Sequence, residues 1–302
     1  MAFIKATRRR AFLKLALSGP SGSGKTTSAL RLAKGLTDKS IAFIDTENKS
    51  ASLYAGQTME DARTGQPYAI AFDVDDIAPG SSAEKFLAAI QGAKDAGYEV
   101  LVIDSFSHVW ESVLAFKAKM DEAGGNSYTN WNAAGKKFAG VVDLIRSIDM
   151  HVIVCMRSKM EYVLETNEKG KQAPRKVGLA PIVRDGTEYD FSTMFEIDMR
   201  NLATDSKGRL KHITGGEAVL LTEAIGGKLR AWMDEGEEPL PLAESWTPDT
   251  KAQANAAAQA HVAAGGSIEQ VTAIKNLGLS PTETIKEIQK MTDHFQNKEN
   301  AK

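Results

Sequence analysis

The stretch GPSGSGKT at 19–26 sets three glycines against one lysine and a terminal threonine. Gly19, Gly22 and Gly24 let the backbone curl until consecutive N–H groups converge on one point, which makes a cradle for an anion. The spacing G-x-x-x-x-G-K-[S/T] adds a helix N-terminus behind the loop, a lysine for phosphate charge and a hydroxyl for a divalent cation. That chemistry is the binding of ATP with Mg²⁺. The cradle comprises Gly19, Pro20, Ser21, Gly22, Ser23, Gly24, Lys25, Thr26 and Thr27. Lys25 is expected to reach the β- and γ-phosphates, and Thr26 to place its hydroxyl on Mg²⁺. A second segment suits the same task. VLVIDS at 100–105 is an apolar run ending in Asp104, whose carboxylate would stand beside the magnesium shell. Ser105 either assists Asp104 or caps the helix that follows; both readings stand.

These residues need a scaffold that brings strand ends together. The loop follows the apolar run AFLKLALS and precedes the helix-forming TSALRLAKGL, which is the strand–loop–helix context that the pattern requires. Strands are expected at 11–18, 40–45, 68–74, 99–104, 150–156 and 192–199, and helices at 24–36, 82–97, 107–122, 131–148 and 217–234. This alternation predicts an α/β fold with a mostly parallel central sheet flanked by helices. The unbroken apolar character of 100–103 and 152–155 fits strands covered on both faces. Two expected strands separate the phosphate-loop strand from VLVID, as in P-loop ATPases with an extra strand between the two motifs. Residues 158–190 are polar without a sustained period and read as a long loop.

Beyond residue 234 the composition changes. Acidic residues and prolines mark 235–250 as a linker between a core at 1–234 and a small helical region at 251–302. There KAQANAAAQAHVAAGG reads as a helix stopped at Gly265-Gly266, and 267–296 as two short helices joined at NLGLSPTE, with Ser280 a candidate cap.

Composition narrows the classes. The chain has 302 residues, 42% hydrophobic and 25% charged, which is ordinary globular usage. No apolar run approaches the ~18 residues needed to cross a bilayer. The opening MAFIKATRRRAFLKLALSG has the charge order of a signal peptide. However, Lys14 interrupts its apolar part and it runs straight into the phosphate loop, so it reads as a buried strand. Cys155 is the single cysteine; an internal disulfide is excluded and a packed core thiol expected, with a cytoplasmic location by default. A net charge of −2 leaves a nucleic-acid partner open.

The segment IAFIDTENKSASLYA at 41–55 resembles the stretch after the P-loop helix in RecA-family recombinases, where a strand ends in Asp-x-Glu and Tyr-Ala follows. GPSGSGKTT and VLVIDS are similar to that family's nucleotide motifs, HVIVCMRSK to its sensor strand, and EYDFSTMFEIDMRN to the strand after its mobile DNA-binding loop. The resemblance spans about residues 11–215 and implies a RecA-like P-loop core. It also implies that Glu47 orients and activates the attacking water, a task suited to a carboxylate within one water of the γ-phosphate. The competing reading is that Asp45 and Glu47 simply end a strand in solvent. A narrower resemblance rests on MRSKMEYV, VGLAPIVRDGTEYDF and SKGR: these are similar to small RecA-like ATPases of bacteriophages, including single-strand annealing proteins of the Sak-four type. It implies a phage recombination protein in the host cytoplasm that binds single-stranded DNA and promotes annealing or strand pairing.

One position departs from the family. The usual sensor there is Gln, whereas this chain has Arg157 and then Lys159. A cation there has three readings: a γ-phosphate sensor that stabilises charge in the transition state, with Arg157 or Lys159 in that role, a contact to DNA phosphate, or a partner for Glu161. Within the expected loop, KGKQAPRK gathers Lys169, Lys171, Arg175 and Lys176, which suit either a DNA backbone or plain solvent. The segment AGGNSYTNWNAAGKK at 123–137 occupies the place of the family's other DNA-facing loop, where Trp131 and Tyr128 either stack on bases or, for Trp131, anchor a helix start. Arg8, Arg9 and Arg10 add a basic patch suited to DNA, a neighbouring subunit or solvent. Phe3-Ile4-Lys5-Ala6 resembles the Phe-x-x-Ala docking peptide of eukaryotic strand-exchange recombinases. Self-assembly as a ring or filament follows from the family, and the C-terminal region suits a single-strand-binding protein, another replisome component or a plain cap on the core. The alternative function is a nucleotide-switched assembly or loader ATPase acting on a protein partner. A small-molecule kinase is less consistent, with no second substrate pocket evident.

Overall fold

The apolar run after Phe12 becomes β1 (Lys14–Gly19), and every residue of it is buried. In the computed structural model residues 7–166, 172–237, 248–275 and 281–299 are described. They divide into two compact units, 1–237 and 238–302. In the first unit β1 leads into α1 (Lys25–Leu36), β2 (Ala42–Asp45), β3 (Thr58–Glu60), β4 (Pro67–Ala69), β5 (Asp73–Asp76), α2 (Ala83–Asp95) and β6 (Val100–Asp104). There follow α3 (Ser107–Glu122), α4 (Ser127–Ser147), β7 (His151–Thr166), β8 (Gln172–Pro181), β9 (Thr193–Ile197), β10 (Leu202–Asp205), α5 (Lys211–Thr214), β11 (Val219–Leu220) and α6 (Glu223–Asp234).

Among the described residues the main sheet runs β11-β10-β9-β1-β7-β6-β2-β5, with β8 paired to β7 and β3–β4 forming a separate ribbon. β1, β7, β6, β2, β5 and β9 are mutually parallel; β10 runs antiparallel to β9, and β11 antiparallel to β10. The expected mostly parallel sheet flanked by helices is therefore present. In space β7 is the strand inserted between β1 and β6. Alternation along each central strand feeds two cores. Ala16, Leu101, Ile103, Val152 and Val154 meet α2, α3 and α4 on one face. Leu15, Leu17, Val100, Val102, Ile153 and Cys155 meet α1 and α6 on the other. Cys155 is a fully buried core thiol whose pKa burial pushes well up.

Two buried basic groups close the N-terminal end of the sheet. Lys14, which interrupts its apolar run, turns its Nζ to donate to the carbonyls of Ile148 and Met150 at 2.6 Å each, and burial pulls its ammonium down to about 7. His151 accepts the Leu13 N–H on Nδ1 at 3.0 Å, and burial pulls its imidazole down to about 4.

Glycine sets the approach of α1 to α6. A Cβ on Gly35 would lie 2.2 Å from the Glu223 carbonyl oxygen, and one on Gly226 would lie 2.4 Å from that of Leu32. At the same crossing the buried Glu223 carboxylate takes Arg31 Nε and Nη2 at 2.8 Å each, and the Tyr68 hydroxyl at 2.6 Å. This pins the β3–β4 ribbon to the helix that carries the phosphate loop.

Three expectations change. The apolar YAIAF of the expected strand 68–74 is not the sheet strand. Ile70 is buried and Phe72 packs 5.3 Å from the Phe43 ring, while the polar Asp73–Asp76 takes the edge position through its backbone. The fourth helix of the core begins at Ser127, not 131, because the Asn126 side chain accepts the Tyr128 N–H. The expected loop over 158–190 is instead largely a hairpin. β7 runs on past the sheet to Thr166 and pairs antiparallel with β8, with a register shift between Glu161 and Tyr162. The arginine patch is also tied down. Arg8 donates to the Trp232 carbonyl at 2.6 Å and pairs with Glu235 at 2.9 Å, Arg9 pairs with Glu237 and Arg10 donates to the Asp234 carbonyl.

The second unit contains α7 (Pro248–Ala263), α8 (Ile268–Lys275) and α9 (Pro281–Glu299). Its small core joins Ala254, Ala257, Ala258, Val271, Ile285 and Ile288, with the buried His261 hydrogen-bonded to Gln270 at 3.1 Å. Gly265, at φ +86°, stands just beyond the end of α7. Ser280 and Phe3–Ala6 lie outside the described residues. No helix among the described residues is long and apolar enough to cross a membrane.

Candidate nucleotide site

Parallel strands all present their C-terminal ends to the same edge, so β1, β2, β6 and β7 deliver Gly19, Asp45, Asp104 and Arg157 side by side. The register aligns Gly19 with Arg157, and Asp45 with Asp104. Between β1 and α1 the loop turns through left-handed residues at Gly22 (φ +81°) and Gly24 (φ +79°), a region costly for any side chain bearing Cβ. The curl is tight. A Cβ on Gly19 would meet Ser23 Oγ at 2.5 Å and the Ile197 carbonyl at 2.7 Å, and one on Gly24 would meet Asn201 Nδ2 at 2.7 Å. Ser23 is fully buried, and its hydroxyl has no hydrogen-bond partner among the described residues. A buried orphan donor in a curled loop at a helix N-terminus is the environment that an anion satisfies. In the same loop Pro20 is half-buried and Ser21 exposed, and Thr27 is half-buried in the first turn of α1.

Lys25 Nζ donates to the carbonyls of Gly19 at 3.0 Å and Pro20 at 2.8 Å, so its ammonium lies over the loop. Thr26 Oγ1 donates to Asp104 Oδ2 at 2.5 Å. A hydroxyl and a carboxylate oxygen in contact form a hard-donor pair that suits Mg²⁺. Asp104 is almost wholly buried. Burial pushes its carboxyl up to about 6 against the Thr26 hydrogen bond, with the charge of Glu47 adding to the rise.

Asp45 is occupied locally: its two oxygens accept the N–H groups of Glu47 at 2.6 Å and Ala51 at 2.8 Å, and so shape the turn after β2. That turn lifts Glu47 to the sheet edge, where its Oε1 lies 3.5 Å from Arg157 Nε. Arg157 also faces Glu111 at 3.5 Å and His108 Nε2 at 3.0 Å, and its backbone N–H donates to Ser107 Oγ at 2.9 Å. Thr46 Oγ1 stands 2.6 Å from His108 Nδ1 and accepts the Ser105 N–H at 2.7 Å. Ser105 Oγ in turn lies 3.3 Å from the Ser107 N–H that it accepts, a capping contact at the start of α3.

The structure thus brings Lys25, Thr26, Asp104, Glu47 and Arg157 to one sheet edge. Sequence reading missed Thr46, Ser107, His108 and Glu111. The available signal was that a helix opening three residues after Asp104 must set its first turn over the neighbouring strand ends. The described residues among those proposed for DNA lie elsewhere. Trp131, in the first turns of α4, is 42% exposed and stacks on Trp110 at 6.3 Å and 22°, with Lys117 Nζ 4.9 Å from its ring centroid. Tyr128 is exposed nearby. Arg175 and Lys176 lie on β8, opposite Val163 and Tyr162. Lys169 and Lys171 lie outside the described residues.

The model of an AAA domain family matches residues 11–223, which span the loop, both acidic strand ends, the hairpin and the start of α6. Among solved structures a RadB recombinase is similar at 20% sequence identity and a TM-score of 0.34, over 63% of this chain and 76% of that one. No curated protein matches.

Proposed function

Because the chain belongs to the AAA domain family, we propose that it is a RecA-like ATPase whose hydrolysis centre is the sheet edge of β1, β2, β6 and β7. The observation that carries this reading is the meeting of five groups from four segments: Lys25 and Thr26, Asp104, Glu47 and Arg157. The curled loop and the Lys25 ammonium take the triphosphate, and Thr26 with Asp104 hold Mg²⁺. That ion, when bound, neutralises phosphate charge as a Lewis acid. Glu47 orients the attacking water and accepts its proton, which contributes about 10²- to 10⁴-fold. Arg157 is a cation where the family resemblance leads one to expect glutamine, and it offsets charge that grows on the phosphate.

The finer reading is a phage recombination protein of the Sak-four type that binds single-stranded DNA, promotes annealing or strand pairing, and works as a ring or filament. Two features support the DNA partner. Arg175 and Lys176 of KGKQAPRK lie on β8, paired with the part of β7 that continues directly from Arg157. The exposed ring of Trp131 also offers a stacking surface with a cation beside it. The deciding experiment is ATP hydrolysis with and without single-stranded DNA at two salt concentrations. Salt-sensitive stimulation is the expected result. Hydrolysis indifferent to DNA, with no DNA retained in the presence of ATP, overturns the DNA reading and favours a switch that acts on a protein partner.

A further inference from the structure

Arg157 is long, nearly half exposed and flanked by two carboxylates, Glu47 and Glu111, each at 3.5 Å. Exposed ion pairs of this kind hold a guanidinium only loosely, because solvent screens them and both partners keep rotamer freedom. The third neighbour differs. His108 has a side chain only 15% exposed, and its ring is fixed at the opposite nitrogen.

The hydrogen bonds determine how that ring is protonated. Arginine can only donate, so His108 Nε2, 3.0 Å from Arg157 Nη1, is the acceptor there, while Glu111 Oε2 lies 3.8 Å from the same nitrogen, beyond hydrogen-bond reach. A neutral imidazole then carries its proton on Nδ1, which donates to Thr46 Oγ1 at 2.6 Å. Thr46 completes the pattern: its oxygen also accepts the Ser105 N–H at 2.7 Å, and its own proton points to the Ser105 carbonyl at 3.3 Å. Every donor in this chain of contacts has an acceptor, which makes the ring a rigid support. Thr46 is also the residue before Glu47. The same imidazole is therefore tied to the backbone that carries the carboxylate and to the guanidinium that faces it.

We propose that His108 is a positioning residue for hydrolysis: locked as its Nδ1–H tautomer by Thr46, it holds the Arg157 guanidinium at a fixed distance from Glu47. This rests on the roles given above to Glu47 and Arg157. His108 touches neither nucleotide phosphate nor the attacking water in this scheme. Its effect reaches the reaction through Arg157.

The test combines kinetics with a direct view of the guanidinium in the full-length protein. In His108→Ala, kcat for ATP falls about 10- to 100-fold, the loss expected when a hydrogen bond to a charged group disappears, while KM stays within about twofold. His108→Gln, whose Oε1 can take the place of Nε2, restores most of the rate. In a His108→Ala/Arg157→Ala double variant the two losses do not add. The Arg157 Nε–H resonance, assigned by its absence from Arg157→Lys, is sharp in the unaltered protein, broadened in His108→Ala and sharp again in His108→Gln. An unchanged resonance in His108→Ala, or a His108→Ala loss that is just as large without Arg157, overturns the proposal. If Arg157→Ala hydrolyses ATP normally while the resonance still depends on His108, the positioning holds and the catalytic role given to Arg157 falls instead.

Discussion

Alanine in place of Gly35 should separate the two helices on which the phosphate loop depends. The added Cβ would lie 2.2 Å from the Glu223 carbonyl oxygen, 2.7 Å from Gly226 Cα and 2.8 Å from Gly227 N, all of them backbone atoms that no rotamer change can remove. Ordinary contact begins near 3.4 Å, so α1 and α6 must part by roughly 1 Å, which close-packed interiors resist. Overpacking of this kind costs about 1–3 kcal/mol and more where backbone is involved, against a helix-propensity gain of about 1 kcal/mol for Gly→Ala. A net loss near 2 kcal/mol is expected. Gly92 supplies the control: it lies exposed on α2 with nothing within 4 Å of its would-be Cβ. Gly92→Ala therefore keeps only the propensity gain, roughly 0.5–1 kcal/mol of stabilisation. Two chemically identical substitutions should thus move the urea midpoint in opposite directions, with the slope unchanged. Because α1 begins at Lys25, Gly35→Ala should also weaken nucleotide binding, whereas Gly92→Ala should not. A Gly35→Ala variant as stable as Gly92→Ala would refute the close crossing of α1 and α6.

Lys25→Ala is expected to lose nucleotide binding or turnover, whereas Glu47→Gln should bind ATP normally and lose about 10²- to 10⁴-fold in hydrolysis, measured by equilibrium binding beside steady-state rates. Replacing Lys169, Lys171, Arg175 and Lys176 together by Ala should abolish salt-sensitive retention of single-stranded DNA while leaving DNA-free ATPase intact; electrophoretic shift and rate assays report the two separately. His151 makes stability depend on pH. Its imidazole titrates near 6.5 when unfolded but is pulled down to about 4 by burial, so the unfolded chain binds the proton first as pH falls. Its contribution is complete above pH 6.5 and is lost towards pH 4, by about 2 kcal/mol at pH 5. His151→Asn, which keeps an acceptor for the Leu13 N–H, should flatten that slope in urea titrations at pH 5 and pH 7.

The phosphate loop and the two acidic strand ends were legible because their chemistry is local. Gly19 to Thr26 carry their own turn geometry, and the runs before Asp45 and Asp104 are apolar enough to be buried strands in any arrangement. What could not be read depended on tertiary competition. Residues 68–74 have the stronger strand signal, yet Phe72 gains more by packing near Phe43, and Asp73–Asp76 needs only its backbone to pair with β2. The hairpin was partly legible: Met160, Tyr162 and Leu164 alternate with Lys159, Glu161 and Glu165, but Val163 interrupts the period of two. His108 had no motif to mark it. Its role arises only when β2 and β7 set Thr46 and Arg157 on either side of the ring.

β7 is one unbroken strand from the middle of the main sheet to Thr166, and in mechanical terms it is a beam clamped at one end. The parallel pairing to β1 ends at Arg157, and the nine residues from there to Thr166 reach about 30 Å at ~3.3 Å per residue. A tilt of about 10° at the clamp would carry the far end of such a beam some 5 Å sideways, an arc set by strand rise and length alone. Length here acts as gearing: shortening β7 and β8 by one pleat each would reduce the arc in proportion and leave every residue of the clamp unaltered.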